Sequence, residues 1–415
     1  MAGTFMDQPD DLYRYIEYLQ RTIHSQGWES FHDLYLMRAW FETNSAKFDV
    51  NLAPQYNNIG SPTAHLEKLI HDFQPKTSFD SPFTEAIFSP LLAQVRLAAE
   101  RLGIKSTRKI HIATSTNVAA SPMILPTDAS HFLFIGLGAS SFCNYWAKAF
   151  TAVVRSIPIS DPPKRISSVE DLRAGFKTDP GPLIFALRLA LAYANYGSVL
   201  GFGEIIQPPS YLAYRGQILN AMEIFIVAHE FAHVVAAERI PKFQGSLEPN
   251  VAQDLEIYCD EMALAVSRAW ANENDNDLAF AGIGALLFFR AIELSESVRD
   301  KLVDILQMPA PSESLPVAGP RARLSHHASS HPSLSTRISA IKSLAISCTE
   351  VDQRTDLAAF TEEYDRIAAV CLFWYWNHLA KGINRQTMLG SRSLPPEPES
   401  ITPLIELCDR LDSRR

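Results

Sequence analysis

The chain carries an H-E-x-x-H motif at His229, Glu230 and His233, inside an apolar run over residues 222–237. If this run is a helix, residues four apart share one face, so the two histidines present their imidazoles to one metal ion. Glu230 then lies about 100° further round the helix, where its carboxylate reaches a water on the metal. Zinc-dependent peptide hydrolysis requires this combination of two nitrogen ligands, an open position and a base. The alternative is a core helix with two histidines and a glutamate.

A third protein ligand is expected in the next predicted helix, which starts near Asn250. Zinc with two imidazole ligands needs one more protein ligand if a position is to stay open for water. Asn250 fits an N-cap and Gln253 a capping box, and apolar residues follow at helical spacing. Glu256 and Asp260 are four residues apart on one face. We assign Glu256 as the third ligand and Asp260 as an acceptor that orients a ligand imidazole.

The same helix offers weaker alternatives for these roles. Asp254 and Glu261 are carboxylates near the two assigned residues. Cys259 has the chemistry of a zinc ligand, but it points away from the stripe formed by Glu256 and Asp260, and we interpret it as a packing residue. Without the H-E-x-x-H motif, a solvated acidic helix face would be the better interpretation.

A third element follows at residues 330–338, which read Ser-His-Pro-Ser-Leu-Ser-Thr-Arg-Ile. Pro332 suits the first turn of a helix, and Arg337 would then lie inside that helix. Taken alone, a surface loop that leads into a helix explains this segment without any function.

The order of these motifs resembles that of gluzincin peptidases. It is most similar to the HtpX and CAAX-prenyl-protease type, with its soluble relatives and the Lit-like phage-exclusion peptidases. The resemblance covers about residues 105–345 and is carried by a few short motifs. The matching positions are His229, Glu230, His233, Glu256, Asp260, His331, Pro332 and Arg337.

The resemblance implies an α+β, mainly α-helical fold. It implies a zincin-like core with a small β-sheet and an H-E-x-x-H active-site helix, flanked by helical N- and C-terminal regions. One zinc ion per chain would be held by the two motif histidines and Glu256, with Glu230 as the catalytic base. His331 or Arg337 would contribute near the substrate oxyanion, so both are candidate catalytic residues. We predict none of the spanning helices of the membrane members, so a prenylated or membrane substrate is not implied.

Two short strands are predicted ahead of the motif, at residues 109–115 and 131–136, and a helix follows at 139–154. Residues 117–129 connect the strands, and prolines are expected to break regular structure there. The related peptidases have a similar strand-loop-strand-helix unit, whose edge strand pairs with an extended substrate backbone. An ordinary small sheet explains the pattern as well.

We predict three regions: a helical N-terminal region over residues 1–104, a metallopeptidase core over 105–345 and a helical C-terminal region over 346–415. The apolar run 278–289 is shorter than the ~20 residues that span a bilayer, so we predict a buried helix behind the zinc-site helices. Residues 309–330 are the candidate mobile segment near the site. Further helices are predicted over residues 30–43, 84–102, 168–176, 181–197 and 356–379.

The composition favours a globular protein, since 47% of the 415 residues are hydrophobic. With 37 basic and 46 acidic residues, a net charge of −9 and no basic stripe, nucleic acid is not an expected partner. The five cysteines are scattered, so a disulfide framework is not expected. The N-terminus has neither a basic region nor an apolar signal core, so we expect a cytoplasmic protein without a membrane span.

These features together predict a zinc-dependent endopeptidase that acts on a protein or peptide substrate. Two alternatives stay open. One is a substrate-specific protease that a trigger activates in phage defence, and the other is a non-catalytic regulatory or binding protein on the same fold. A homo-oligomer and an activating partner also stay open. The ligand set favours zinc, and other first-row divalent ions are compatible with it.

Overall fold

The computed structural model describes residues 9–22, 62–115, 122–126, 130–155, 211–243, 248–306 and 332–347, with scattered positions between 182 and 199. Several predictions lie outside the described residues: the helices at 30–43, 168–176 and 356–379, most of the helix at 181–197, the segment 309–330, and His331.

The described residues form α-helices, three β-strands and one short 3-10 helix. The predicted α+β, mainly α-helical class is therefore confirmed. In chain order the elements are α1 Pro9–Thr22, α2 Pro62–Asp72, α3 Pro82–Arg101, β1 Lys109–Thr114, β2 Met123–Pro126, β3 Ser130–Ile135, α4 Leu137–Arg155, α5 Leu212–Arg239, the 3-10 helix Pro241–Phe243, α6 Pro249–Asn274, α7 Asp277–Phe280, α8 Ile283–Leu306 and α9 Leu334–Ser347.

The three strands form one mixed sheet with the order β1-β3-β2. β1 runs parallel to β3, with Lys109 opposite Ser130, and β2 runs antiparallel to it, with Pro126 opposite His131. The two predicted strands are confirmed, but β2 lies within the connection that we expected to be irregular, so that expectation was wrong. Proline is tolerated at the end of an edge strand, because no ladder hydrogen bond requires its N–H there.

Helix α5, which carries the H-E-x-x-H motif, lies in the centre of the main hydrophobic core. It packs against α3, α4, α6 and α8, and it also contacts β2. Its residues from Met222 to Phe231 are all buried, because helices and sheet surround it on several sides. Among the described helices, α5 alone has the length and composition of a membrane span, and 83% of its apolar window is buried inside the protein.

Helix α8 approaches α5 more closely than ordinary side chains would allow. A Cβ atom added at Gly284 would lie 2.3 Å from the carbonyl carbon and oxygen of Ala221, so the two backbones are in contact at this point. Gly282 has a φ of +76°, which favours glycine, and it separates α7 from α8. The prediction of one helix over residues 278–289 was therefore wrong, while the predicted packing against the motif helix is confirmed.

Helix α6 runs alongside α5 and carries the predicted third ligand. Pro249 occupies its first turn and Glu248 is the N-cap, so the prediction that Asn250 caps this helix was wrong by two residues. Proline suits the first helical turn, where its missing N–H needs no partner. Helix α9 packs across α6 and α8, which brings Arg337 towards Asp260.

Candidate metal centre

Three nitrogen and oxygen donors from α5 and α6 meet at one point. The Nε2 atoms of His229 and His233 lie 3.1 Å apart, and their rings stand at 81° to each other. Each Nε2 also faces one oxygen of Glu256, at 3.4 Å in both cases. The donor atoms of this group all lie within 4.8 Å of one another. The three residues assigned as ligands from the sequence are therefore adjacent in the fold.

The spacing of these donors suits a small divalent cation. Tetrahedral coordination with zinc–ligand distances of about 2.0–2.2 Å separates neighbouring donor atoms by roughly 3.3–3.5 Å. The observed separations of 3.1 and 3.4 Å lie close to this range. Two neutral imidazoles that direct their lone pairs at each other need either a proton or a cation between them. His229, His233 and Glu256 could therefore hold a metal ion.

The second nitrogen of His229 faces Asp260. The Nδ1 atom lies 3.0 Å from Oδ1 of the fully buried Asp260. Burial alone lowers the pKa of His229, but the carboxylates of Asp260 and Glu256 outweigh burial and raise the pKa to about 9. A carboxylate at Nδ1 favours the tautomer that leaves Nε2 free as a ligand, and it fixes the plane of the ring. This is the position that we predicted for Asp260.

Arg337 from α9 completes the polar cluster. Its Nε donates to Oδ2 of Asp260 at 2.7 Å and its Nη2 donates to Oδ1 at 2.6 Å, a bidentate pair. The same Nη2 lies 3.5 Å from Oε2 of Glu256. Burial raises the pKa of Asp260, but the hydrogen bonds from Arg337 and the contact with His229 lower it below its ordinary value overall. The guanidinium of Arg337 thus contacts both α6 carboxylates of the predicted site, Asp260 and Glu256.

Phe289 of α8 supports this guanidinium, and the sequence did not point to it. The Arg337 Cζ lies 4.5 Å from the centre of the Phe289 ring, a cation–π contact. The same ring also meets Phe225 edge to face, with the ring centres 5.6 Å apart. In the sequence Phe289 is one residue of an apolar run, and no pattern distinguishes it from a core phenylalanine.

Glu230 is buried beside the cluster, with 8% of the residue exposed. Desolvation raises the pKa of its carboxyl to about 7, and the positive charge of His229 opposes that rise. Within the described part of the chain, no side-chain hydrogen bond or ion pair holds this carboxylate. A carboxyl with a pKa near neutrality can accept and return a proton at physiological pH.

Solvent reaches the cluster from the side of His233. Its side chain is 21% exposed, compared with 11% for His229 and 9% for Glu256. A group that holds a metal and is open on one side leaves room for water or a substrate at the remaining coordination position.

The weaker candidates lie away from this group. Asp254 is exposed and pairs with Lys242 at 3.5 Å, and Glu261 is exposed, whereas Glu256 and Asp260 are buried. Cys259 is buried in the hydrophobic core, where burial raises the pKa of its thiol far above the ordinary value. The second candidate catalytic residue of the third element, His331, lies outside the described residues.

Comparisons with protein-family models, with curated proteins and with solved structures find no match to this chain. Any assignment of function therefore depends on the residues and the geometry of the site.

Proposed function

We propose that this protein is a zinc-dependent endopeptidase with a zincin-like core. One observation carries the proposal: one donor atom each from His229, His233 and Glu256 lies within 4.8 Å of the other two, beside the buried carboxyl of Glu230. A structural zinc site is usually closed by four protein ligands, whereas a hydrolytic site has three and an adjacent base. The resemblance to gluzincins in the order of the motifs agrees with this proposal.

The proposed reaction assigns each step to a residue of the chain. Bound zinc would supply Lewis-acid polarisation of the scissile carbonyl and a lowered pKa for water. Glu230 accepts a proton from the attacking water and delivers it to the leaving amine, which breaks the peptide bond and releases a carboxylate and an amine. Its low exposure supports this role, because the raised pKa makes the Glu230 carboxylate a stronger base towards the attacking water.

We assign Asp260 and Arg337 to positioning. Asp260 fixes the ring of His229, and Arg337 fixes Asp260 through two hydrogen bonds. Because Nε and Nη2 of Arg337 both donate to Asp260, Arg337 acts on the proposed metal ligand His229 through Asp260. A direct contribution of Arg337 or His331 at the substrate oxyanion stays a prediction.

Strand β2 is the best-placed described element to bind substrate backbone. It lies at an edge of the described sheet and contacts helix α5. An extended peptide that pairs with an edge strand gains main-chain hydrogen bonds and little sequence specificity. We therefore propose a protein or peptide substrate bound in an extended conformation.

The test compares wild type with Glu230→Gln and Glu261→Gln on a denatured cell extract, with new N-termini identified by mass spectrometry. We expect wild type and Glu261→Gln to generate the same cleavage sites. Glu230→Gln should bind zinc with little change and generate none of these sites, because the base is lost while the ligands remain. A chelator should abolish cleavage by wild type, and added zinc should restore it.

Two results would contradict the proposal. Cleavage by Glu230→Gln at the wild-type rate would exclude Glu230 as the base. Wild-type cleavage that persists in the chelator would exclude a metal-dependent reaction. A few cleavage sites in native extract, compared with many in the denatured one, would indicate a specific protease rather than a general one.

A further inference from the structure

A polar cavity lies between α3 and β1, and the proposed peptidase chemistry does not use it. Its volume is about 210 Å³. For comparison, a cavity of about 150 Å³ accommodates a molecule the size of benzene. The lining of the cavity between α3 and β1 includes Lys76, Glu85, Arg96, Ile110, His111 and Ile112.

One wall of this cavity is the edge of β1 that faces away from β3, which no strand among the described residues covers. The N–H of Ser115 donates to the backbone carbonyl of Ile135 in β3 at 2.9 Å, so the backbone groups of Ser115 face β3. Successive residues of a strand direct their backbone groups to opposite edges of that strand. Ile110 and Ile112 therefore direct their N–H and C=O groups away from β3 and towards the cavity. The backbone of Thr114 has the same orientation, and its carbonyl accepts a hydrogen bond from Nε2 of Gln20 in α1 at 2.9 Å. Among the described residues, the part of this edge without a backbone partner is thus the part that lines the cavity.

The other wall presents positive charge. Lys76 and Arg96 are exposed cations on this wall, and the described lining also includes the carboxylate of Glu85. In the described residues, no ion pair or hydrogen bond engages these three side chains. Exposed cations without an internal partner attract anionic ligands, and the attraction is strongest where solvent is partly excluded.

The loop that carries Lys76 is held in place. The Asp80 carboxylate accepts from the backbone N–H groups of Lys76 and Thr77, at 3.0 Å each. His111 on the opposite wall stacks on Phe132, with ring centres 5.2 Å apart. The backbone at Lys76 and the imidazole of His111 are therefore positioned before any ligand binds, which lowers the entropic cost of binding.

We propose that this groove binds an extended acidic peptide segment, which adds a strand to the edge of β1 and directs carboxylates towards Lys76 and Arg96. Backbone hydrogen bonds to Ile110 and Ile112 would fix the direction of the peptide, and the two cations would select acidic side chains. This inference does not depend on the metal site, because β1 and α3 carry none of its residues.

The test measures binding by fluorescence anisotropy with a labelled short peptide in which Glu and Val alternate. The full-length protein is kept in a chelator, so that the proposed peptidase activity cannot cleave the labelled peptide during the measurement. We expect saturable binding that weakens with added salt, and no binding of the matched Gln-Val and Lys-Val peptides. The double variant Lys76→Ala/Arg96→Ala should bind about tenfold more weakly, because two charge contacts are lost.

A matched control removes the same charge elsewhere. Arg101→Ala/Lys105→Ala changes two exposed basic residues that do not line the cavity, and it should bind as wild type does. Two N-methylated versions of the Glu-Val peptide, one methylated at every Glu and one at every Val, test the backbone pairing. Only one of them should bind, since a single set of N–H groups faces β1.

Three results would overturn the proposal. Wild type that does not bind the Glu-Val peptide would exclude an acidic-peptide site. Equal binding by Lys76→Ala/Arg96→Ala would place the peptide elsewhere. Full competition by inorganic phosphate, together with equal binding of both N-methylated peptides, would indicate an anion site that uses no strand pairing.

Discussion

Asp260 Oδ1 lies 3.0 Å from Nδ1 of His229, so the imidazole is held from the side opposite to its metal-facing nitrogen. Asp260 itself is fully buried and is held by Arg337 through two short hydrogen bonds. A chain of contacts therefore runs from α9 through α6 to α5. In this arrangement the orientation of a proposed metal ligand depends on a residue that lies more than 100 positions later in the sequence.

The first prediction concerns this contact. Asp260→Asn should weaken zinc affinity by about 10–100-fold, because the neutral amide orients His229 less firmly and makes it a poorer ligand. Zinc affinity would be measured by competition with a chromogenic chelator. Asp254→Asn changes an exposed carboxylate on the same helix and should leave the affinity unchanged. Equal affinities for the two variants would contradict the role of Asp260.

The second prediction concerns the ion pair of Arg337. Arg337→Ala should lower the free energy of unfolding by about 3–5 kcal/mol, because the Asp260 carboxylate would remain buried without its cationic partner. The double variant Asp260→Leu/Arg337→Met should cost less, since both charges are removed together. Chemical denaturation in chelator measures both effects without metal binding. Additive effects of the separate substitutions would contradict a coupled pair.

The third prediction concerns the pH dependence of stability. Burial raises the pKa of Glu223 from 4.5 to about 7, and the hydrogen bond from Ser140 opposes that rise. The folded state therefore binds more protons than the unfolded state between these values. The stability contributed by protonated Glu223 is fully present below about pH 4.5 and is lost as the pH rises through about 7.

The variant Glu223→Gln isolates this effect. Its free energy of unfolding should fall less than that of wild type between pH 5 and pH 8, because the amide does not ionise. The exposed Glu261→Gln variant should follow the wild-type curve. Denaturation curves in chelator at several pH values provide the measurement. Parallel pH profiles for wild type and Glu223→Gln would show that Glu223 is already ionised in the folded protein.

The fourth prediction concerns the contact between α5 and α8. Gly284→Ala should destabilise the protein by about 1–3 kcal/mol, because the added Cβ would lie 2.3 Å from the backbone of Ala221. A Cβ added at Gly216 in α5 would meet no atom within 4 Å, so Gly216→Ala should be neutral or stabilise the protein by up to about 1 kcal/mol. Thermal unfolding distinguishes the two. Similar melting temperatures for both variants would contradict the close approach.

The sequence was most informative where residue type and helical spacing act together. The pair of histidines four residues apart and the pair Glu256 and Asp260 each share a helix face, and a helix places such residues predictably. Their convergence could be predicted only from the demands of zinc coordination, because spacing within one helix does not determine which neighbouring helix it meets.

The sequence was less informative where tertiary contacts decide the local structure. Strand β2 was missed because Pro122 and Pro126 suggested a loop, whereas its place at the edge of the described sheet tolerates Pro126. The apolar run over residues 278–289 was predicted as one helix, yet Gly282 interrupts it. The contact of Arg337 with Asp260 could not be predicted either, since the two residues are 77 positions apart.

The zinc content of purified wild type, Glu256→Ala and Glu261→Ala tests the central claim most directly. We predict about one zinc per chain in wild type and in Glu261→Ala, and a large loss in Glu256→Ala, because Glu256 faces both imidazoles whereas Glu261 is exposed. Equal zinc in all three proteins, or none in wild type after growth with zinc and purification without chelator, would contradict a metal centre formed by His229, His233 and Glu256.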